Sequence, residues 1–254
     1  MTPQINANRA VAQESAMTGP PGQDTGEITN PALKLAVSVV MLRDSPLGIE
    51  VFVQHRASTM DFAASAVVFP GGRVDAVDSV GWTYSAELLN AHATAWRHTC
   101  LCVNAANSTY NAGRLVAAAA REVMEECGIS LSPEMLKPWA NWVTPEGLPK
   151  RFDTYFFATR LPAHVQPLHQ TTEASSSHWL PVRQLIDKEA AGTFKLLPPT
   201  LAILDELLRT GTVAQALESE RTIEPVRLRQ DNIATFWRLC RTMGPSKAAQ
   251  ALNG

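Results

Sequence analysis

Glu122, Glu125 and Glu126 are the residues whose type and spacing most directly imply chemistry in this chain. They lie in a stretch, residues 114–127, that has no internal glycine or proline and stops at Gly128, a natural helix C-terminal residue. On that helix the glutamates stand at i, i+3 and i+4, so one face presents three carboxylates to a common point. Left uncompensated they repel, by a few tenths of a kcal/mol per pair, and a bound hard cation is the natural compensation. Oxygen-only ligands suit Mg²⁺ or Mn²⁺. The competing reading is a solvated acidic helix face. Val116, Ala119, Ala120, Val123, Cys127 and Ile129 supply the other side of the helix and predict a core contact there. Upstream, Pro70-Gly71-Gly72 ends an apolar run. The proline removes a ladder donor, and the glycines permit a tight turn and let a backbone carbonyl, that of Gly71, approach a site closely.

The elements that must position these groups are a mixed sheet and helices. Residues 34–42 form an apolar, β-branched run that breaks at Arg43-Asp44-Ser45-Pro46-Leu47-Gly48. A second run at 49–53 follows, which predicts a hairpin. A third strand is expected at 66–69. Residues 79–112 differ in character, with a helix-compatible stretch at 85–102 and a polar segment at 104–111, and read as an inserted excursion. Residues 151–159 are aromatic and β-branched and predict a strand, with Trp179-Leu180 in another. After Pro198-Pro199, Thr200 caps a helix to about Leu208, and 212–217 form one more. The tail beyond Glu224 carries no clear pattern, and no internal repeat is present.

Composition bounds the function classes. A chain of 254 residues, 45% hydrophobic and 18% charged, is an ordinary globular composition with room for one sizeable α/β domain plus additions. A formal net charge of -2 gives no concentrated basic field, so no nucleic-acid partner is expected. No stretch approaches the roughly 18 to 20 apolar residues that cross a bilayer, so no membrane partner is expected either. Cys100, Cys102, Cys127 and Cys240 show no framework spacing and are expected as free thiols in the cytoplasm. His98, Cys100 and Cys102 lack the paired spacing of a zinc site and read as packing residues, as do most of the six tryptophans. Residues 1–30 read as a disordered leader.

With these residues in place, the chain resembles the Nudix hydrolase family, whose signature is G-x5-E-x7-R-E-U-x-E-E-x-G-U with U apolar. Arg121, Glu122, Val123, Glu125, Glu126, Gly128 and Ile129 match its second half, and Gly72 with Asp78 fits the first half with Asp in place of Glu. Between Asp78 and Arg121 lie 42 residues where the family pattern has seven, an excess of 35. The box is therefore interrupted, as in the subgroup similar to the mammalian peroxisomal coenzyme A diphosphatase. That subgroup's F-P-G-G-x-x-D segment is matched by Phe69-Pro70-Gly71-Gly72-Arg73-Val74-Asp75. Its upstream pattern agrees at Arg56 and Val67, with Met60 for Leu, but Asp61, Ala64 and Ser65 replace Arg, His and Gly.

The resemblance implies an α/β architecture, the Nudix fold: a mixed β-sheet in an α/β/α sandwich spanning 31–210. An insertion at 79–113 lies within the box, and a helical C-terminal extension occupies 211–254. It implies Glu122, Glu125, Glu126 and Gly71 as ligands of Mg²⁺ or Mn²⁺. Arg121, Glu122 and Glu173 are the catalytic candidates, Glu173 as an extra ligand or base. Arg56, Arg73 and Arg151 are the substrate contacts, with pairing to Asp153 or a surface carboxylate as the other use of Arg151. The implied partner is a small nucleoside diphosphate derivative: coenzyme A or acyl-CoA first, ADP-ribose or NADH as the alternative. A non-catalytic ligand sensor of the same fold is the third reading. The oligomeric state stays open, a homodimer among the options.

Overall fold

The computed structural model describes residues 32–59, 63–103, 105–218 and 220–253. The expected leader, Met60 and Asp61 lie outside the described residues. Strands β1 (Lys34–Ser45) and β2 (Gly48–Arg56) form the expected hairpin, and β1 runs on unbroken to Ser45 before its turn. Beyond the hairpin end the two strands separate. The Pro70–Arg73 segment takes the vacated edge of β1: the Val39 and Val37 N–H groups donate to the carbonyls of Pro70 and Gly72 at 2.8 and 2.9 Å. The glycine turn is thus fixed by strand-type bonds rather than hanging as a free loop.

The sheet is mixed. β1 pairs parallel with β5 (Phe152–Arg160), from Lys34 opposite Phe152 to Leu42 opposite Arg160. Next to β5 come β4 (Lys137–Val143), antiparallel, and then β8 (Pro225–Arg227), parallel to β4. On the other side β2 pairs with both β3 (Ala66–Val68) and β6 (Ala174–Pro181), and β3 with the short β7 (Lys195–Leu196). Alternation within β1 splits its side chains between two cores. Val37, Val39 and Met41 face α2 (Ser108–Cys127) together with Phe52, Tyr155, Phe157 and Trp96. Val40 and Leu42 face the opposite layer, made by α3 (Val182–Ala190), α4 (Pro198–Leu208) and α5 (Val213–Glu218), joined by α6 (Ile233–Met243) and α7 (Pro245–Leu252). Helices on both faces of a mixed sheet give the expected sandwich.

Several boundaries differ from expectation, each for a physical reason. The helix expected over 85–102 is shorter: α1 (Ala86–Ala95), capped by Ser85 Oγ accepting from Leu88 N–H, stops at Trp96, whose buried ring packs edge-on to Tyr155 and Phe157. The metal-helix candidate begins earlier than 114, with Ala112 already fully buried and Gly113 seated under the Trp82 ring. β4 hides behind Pro138 and a bulge after it. The tail beyond 224, unpatterned in sequence, forms β8, α6 and α7, and Phe236 packs edge-on against Trp142 inside the same core as α4.

Candidate metal centre

Arg121 is the hub of the site. Its Nε and Nη2 donate to Asp78 Oδ1 and Oδ2 at 2.8 and 2.9 Å. Nη1 donates to Glu122 Oε1 at 2.9 Å and Glu125 Oε2 at 3.1 Å, and Nη2 reaches the Arg73 carbonyl at 2.9 Å. These five contacts equal the full donor capacity of a guanidinium. The Asp78 pair forms a bidentate fork, and this carboxylate, 3% exposed, is fixed further by the Asp75 N–H at 2.8 Å. Hydrogen bonding to Asp78 is the largest influence holding the Arg121 pKa above its ordinary value.

The three glutamates separate in their surroundings. Glu126 lies on the buried side of α2, 7% exposed, with Oε2 accepting from the Gly71 N–H at 3.0 Å. Glu122 is half-buried against Gly72, where an added Cβ would stand 2.6 Å from its Oε1. Glu125 points outward, its side chain 57% exposed. The expectation of three carboxylates aimed at one point therefore needs correction. Arg121 draws Glu122 and Glu125 toward itself while Gly71 holds Glu126, and among the described residues no three acidic, imidazole or thiol groups already converge as a ligand set. Gly71 touches the cluster through its N–H, where the sequence pointed to its carbonyl. Its glycine identity is required twice, by φ of +146° and by the Val37 carbonyl, which a Cβ would meet at 2.2 Å.

Burial raises the Glu126 pKa to about 7, reinforced by the neighbouring charges of Glu122 and Glu173 and opposed by the Gly71 N–H and Gln54. Burial likewise raises that of Glu122, against the attraction of Arg121. The donor set is all oxygen, it carries buried charge that Arg121 does not fully offset, and Gly72 keeps a side chain out of the space beside Glu122. These features fit a hard divalent cation.

The remaining expected residues fall around this core. Glu173 sits on the connection before β6, and its charge acts on Glu126. Arg56, at the end of β2, pairs with Glu173 at 3.4 Å. Arg73 is on the glycine turn, exposed, with its carbonyl in the Arg121 network. Arg151 lies on the far side of β1, where it reaches Glu146 at 3.7 Å and lines a hollow of about 650 Å³ with Thr144, Arg227 and Arg229. His98, Cys100 and Cys102 turn to three separate partners, Glu224, Asp153 and the Ser108 carbonyl.

Sequence reasoning missed Gln54, a buried amide whose side chain faces Cys127 and Glu126. A polar residue directly after an apolar strand run was the available signal. It also missed the packing of Trp82 over Gly113, where a Cβ would stand 2.3 Å from the ring, and the Trp82 Nε1 bond to the Asp78 carbonyl at 3.0 Å. Through Trp82 the excursion is fastened both to α2 and to the Asp78 turn. Ser65, where the resembling subgroup carries glycine, takes φ of +58°, the left-handed conformation that glycine adopts without cost.

Comparison with known proteins adds a family likeness over part of the chain. The sequence model of a family described as "NUDIX domain" matches residues 110–199, beginning inside α2, so the glycine turn and Asp78 precede the matched stretch. A curated Caenorhabditis elegans protein, "Putative nudix hydrolase 7", is 24% identical over 162 residues, covering 62% of this chain and 55% of that protein. The chain thus spans about half the length of that relative. The crystal structure of a NUDIX hydrolase from Alicyclobacillus acidocaldarius superposes with a TM-score of 0.58 at 23% identity, over 75% of this chain and 98% of that one, a likeness of fold. Layer order, carboxylate helix and matched stretch agree: the chain has a Nudix fold, and its residues 110–199 are similar to the NUDIX domain.

Proposed function

We propose that this chain is a divalent-metal-dependent hydrolase that cleaves the pyrophosphate bond of a nucleoside diphosphate derivative, with Mg²⁺ or Mn²⁺ as its cofactor. The observation that carries the reading is Glu126, a carboxylate buried against the Gly71 N–H beside Glu122, with its pKa raised by burial. A structural helix face has no use for that charge, since burying an uncompensated carboxylate is costly. Glu122, Glu125 and Glu126 would hold the cation. When bound, it supplies neutralisation of pyrophosphate charge and acidification of a water. Arg121 orients Glu122, Asp78 orients Arg121, and the Gly71 N–H fixes one oxygen of Glu126. Glu173, exposed and beside this cluster, is the candidate acceptor of the proton lost by water as its oxygen bonds phosphorus and the bridging P–O bond breaks.

For the substrate we propose coenzyme A or an acyl-CoA, cleaved to a 4'-phosphopantetheine product and adenosine 3',5'-bisphosphate. Support comes from the resemblance at residues 69–75 and from the Asp78–Arg121 fork. The fork joins the two box halves across residues 79–120 and so favours reading 79–113 as an insertion within the box. The test is a turnover screen with Mg²⁺ over coenzyme A, an acyl-CoA, ADP-ribose, NADH and a nucleoside triphosphate. Coenzyme A or the acyl-CoA should turn over fastest, and Glu122→Gln and Glu126→Gln should each lower kcat by about 100-fold or more. Turnover unaffected by both substitutions would sink the site assignment, and preference for ADP-ribose or NADH would sink the coenzyme A assignment.

A further inference from the structure

Arg56 was expected to meet substrate phosphate, and the geometry gives it another task. The backbone of Glu173 is held on both sides: its N–H donates to Thr171 Oγ1 at 3.0 Å, and its carbonyl accepts from the Ala57 N–H at 2.9 Å. Only the side-chain torsions remain to be set. The pairing of β2 with β6 slips at this point, with His55 opposite Ser176 but Arg56 opposite Ala174, which leaves Ser175 as an extra residue. The Ser175 hydroxyl donates to the His55 carbonyl at 3.2 Å, and an irregularity of this kind re-aims the side chains beside it. Here it brings the Arg56 guanidinium to the Glu173 carboxylate, Nη2 to Oε2 at 3.4 Å.

Exposure is unequal across the pair. The Arg56 side chain is 17% exposed and that of Glu173 55%, so the cation is largely covered by protein while the carboxylate stands open. Of the two, the carboxylate is the one that solvent reaches more readily. Glu173 in turn is close enough for its charge to act on Glu126, so the rotamer that Arg56 selects determines where that carboxylate stands relative to the metal-ligand candidates.

We infer that Arg56 is the positioning residue for Glu173 and does not bind substrate phosphate. The inference rests on the hydrolase reading, in which Glu173 takes a proton from water. It is tested with wild type, Arg56→Met, Arg56→Lys, Glu173→Gln and the Arg56→Met/Glu173→Gln double variant, on the best substrate of the screen. Loss of the carboxylate in Glu173→Gln should lower kcat about 100-fold, Arg56→Met about 10-fold with KM within about twofold, and Arg56→Lys should stay within about threefold of wild type. The double variant should be no slower than Glu173→Gln alone. A KM raised about 10-fold by Arg56→Met with kcat preserved, or losses that multiply in the double variant, would overturn the inference. Two readouts do not depend on turnover: Mg²⁺ affinity by calorimetry should be unchanged in Arg56→Met, and melting of the metal-free variants should show coupling between positions 56 and 173. Weakened Mg²⁺ binding, or absence of coupling, would also overturn it. Wild-type protein inactive on every substrate refutes the hydrolase reading, while the coupling measurement still decides whether Arg56 holds Glu173.

Discussion

At the scale of single residues, the site depends on charges whose partners are specific. Glu126, with its pKa raised from 4.5 to about 7, binds its proton more tightly in the folded chain than in the unfolded one. Between those values the native state holds the extra proton, so the stability this group contributes in the metal-free protein is full below pH 4.5 and is lost as pH rises through 7. A cation that takes the place of that proton should therefore raise the melting temperature more at pH 8 than at pH 6, and Glu126→Gln should erase the difference; scanning calorimetry with and without Mg²⁺ at both pH values checks this. Asp78 is the second such residue. Its removal in Asp78→Ala leaves the Arg121 guanidinium without its fork and should cost about 2–3 kcal/mol in urea unfolding. An effect under about 0.5 kcal/mol would mean that the fork carries no weight. Much of this chemistry was legible from residue types at helical spacing: Arg121, Glu122 and Glu125 share one network, and Glu126 lies beside it on the Gly71 N–H. Their separation into a buried, a half-buried and an exposed carboxylate was not, because it depends on which oxygens Arg121 and the Gly71 N–H claim.

At the scale of elements, the glycine turn and α2 act as one unit. Gly71→Ala places a Cβ where the Val37 carbonyl already stands, at a backbone φ unsuited to alanine, so it should destabilise the chain by more than about 1 kcal/mol and weaken Mg²⁺ binding as well. Melting temperature and calorimetry of that variant test both effects, and an alanine tolerated without change in either would remove the turn from the account. The β1–β2 hairpin, β5 and most of α2 could be read from apolar runs and turn residues, since local patterning decides them. The ends of α1 and the start of α2 could not. Trp96 closes α1 because its ring belongs to the core beneath β5, and α2 starts early enough to bury Ala112 and to seat Gly113 under Trp82, contacts between segments well apart in sequence.

For the whole molecule, the C-terminal segment is part of the domain's core, with Val213, Ala216, Phe236 and Ala248 packed in the layer that covers the sheet face opposite α2. That arrangement was illegible from the sequence, where short amphipathic stretches separated by polar residues gave no sign of which sheet face they cover. Among the described residues, no helix is long and apolar enough to cross a membrane. The sheet's role is to bring one edge together: the end of β2 with Arg56, the approach to β6 with Glu173, the glycine turn, and the carboxylate half of α2. The central claim, that this edge forms a divalent-cation site, is tested most directly by titrating metal-free protein with Mg²⁺ in a calorimeter at pH 8. Wild type should bind saturably, and Glu126→Gln and Glu122→Gln should each weaken binding about 10-fold or more with folding intact. Binding unchanged in both variants, or none in the wild type, would contradict that claim.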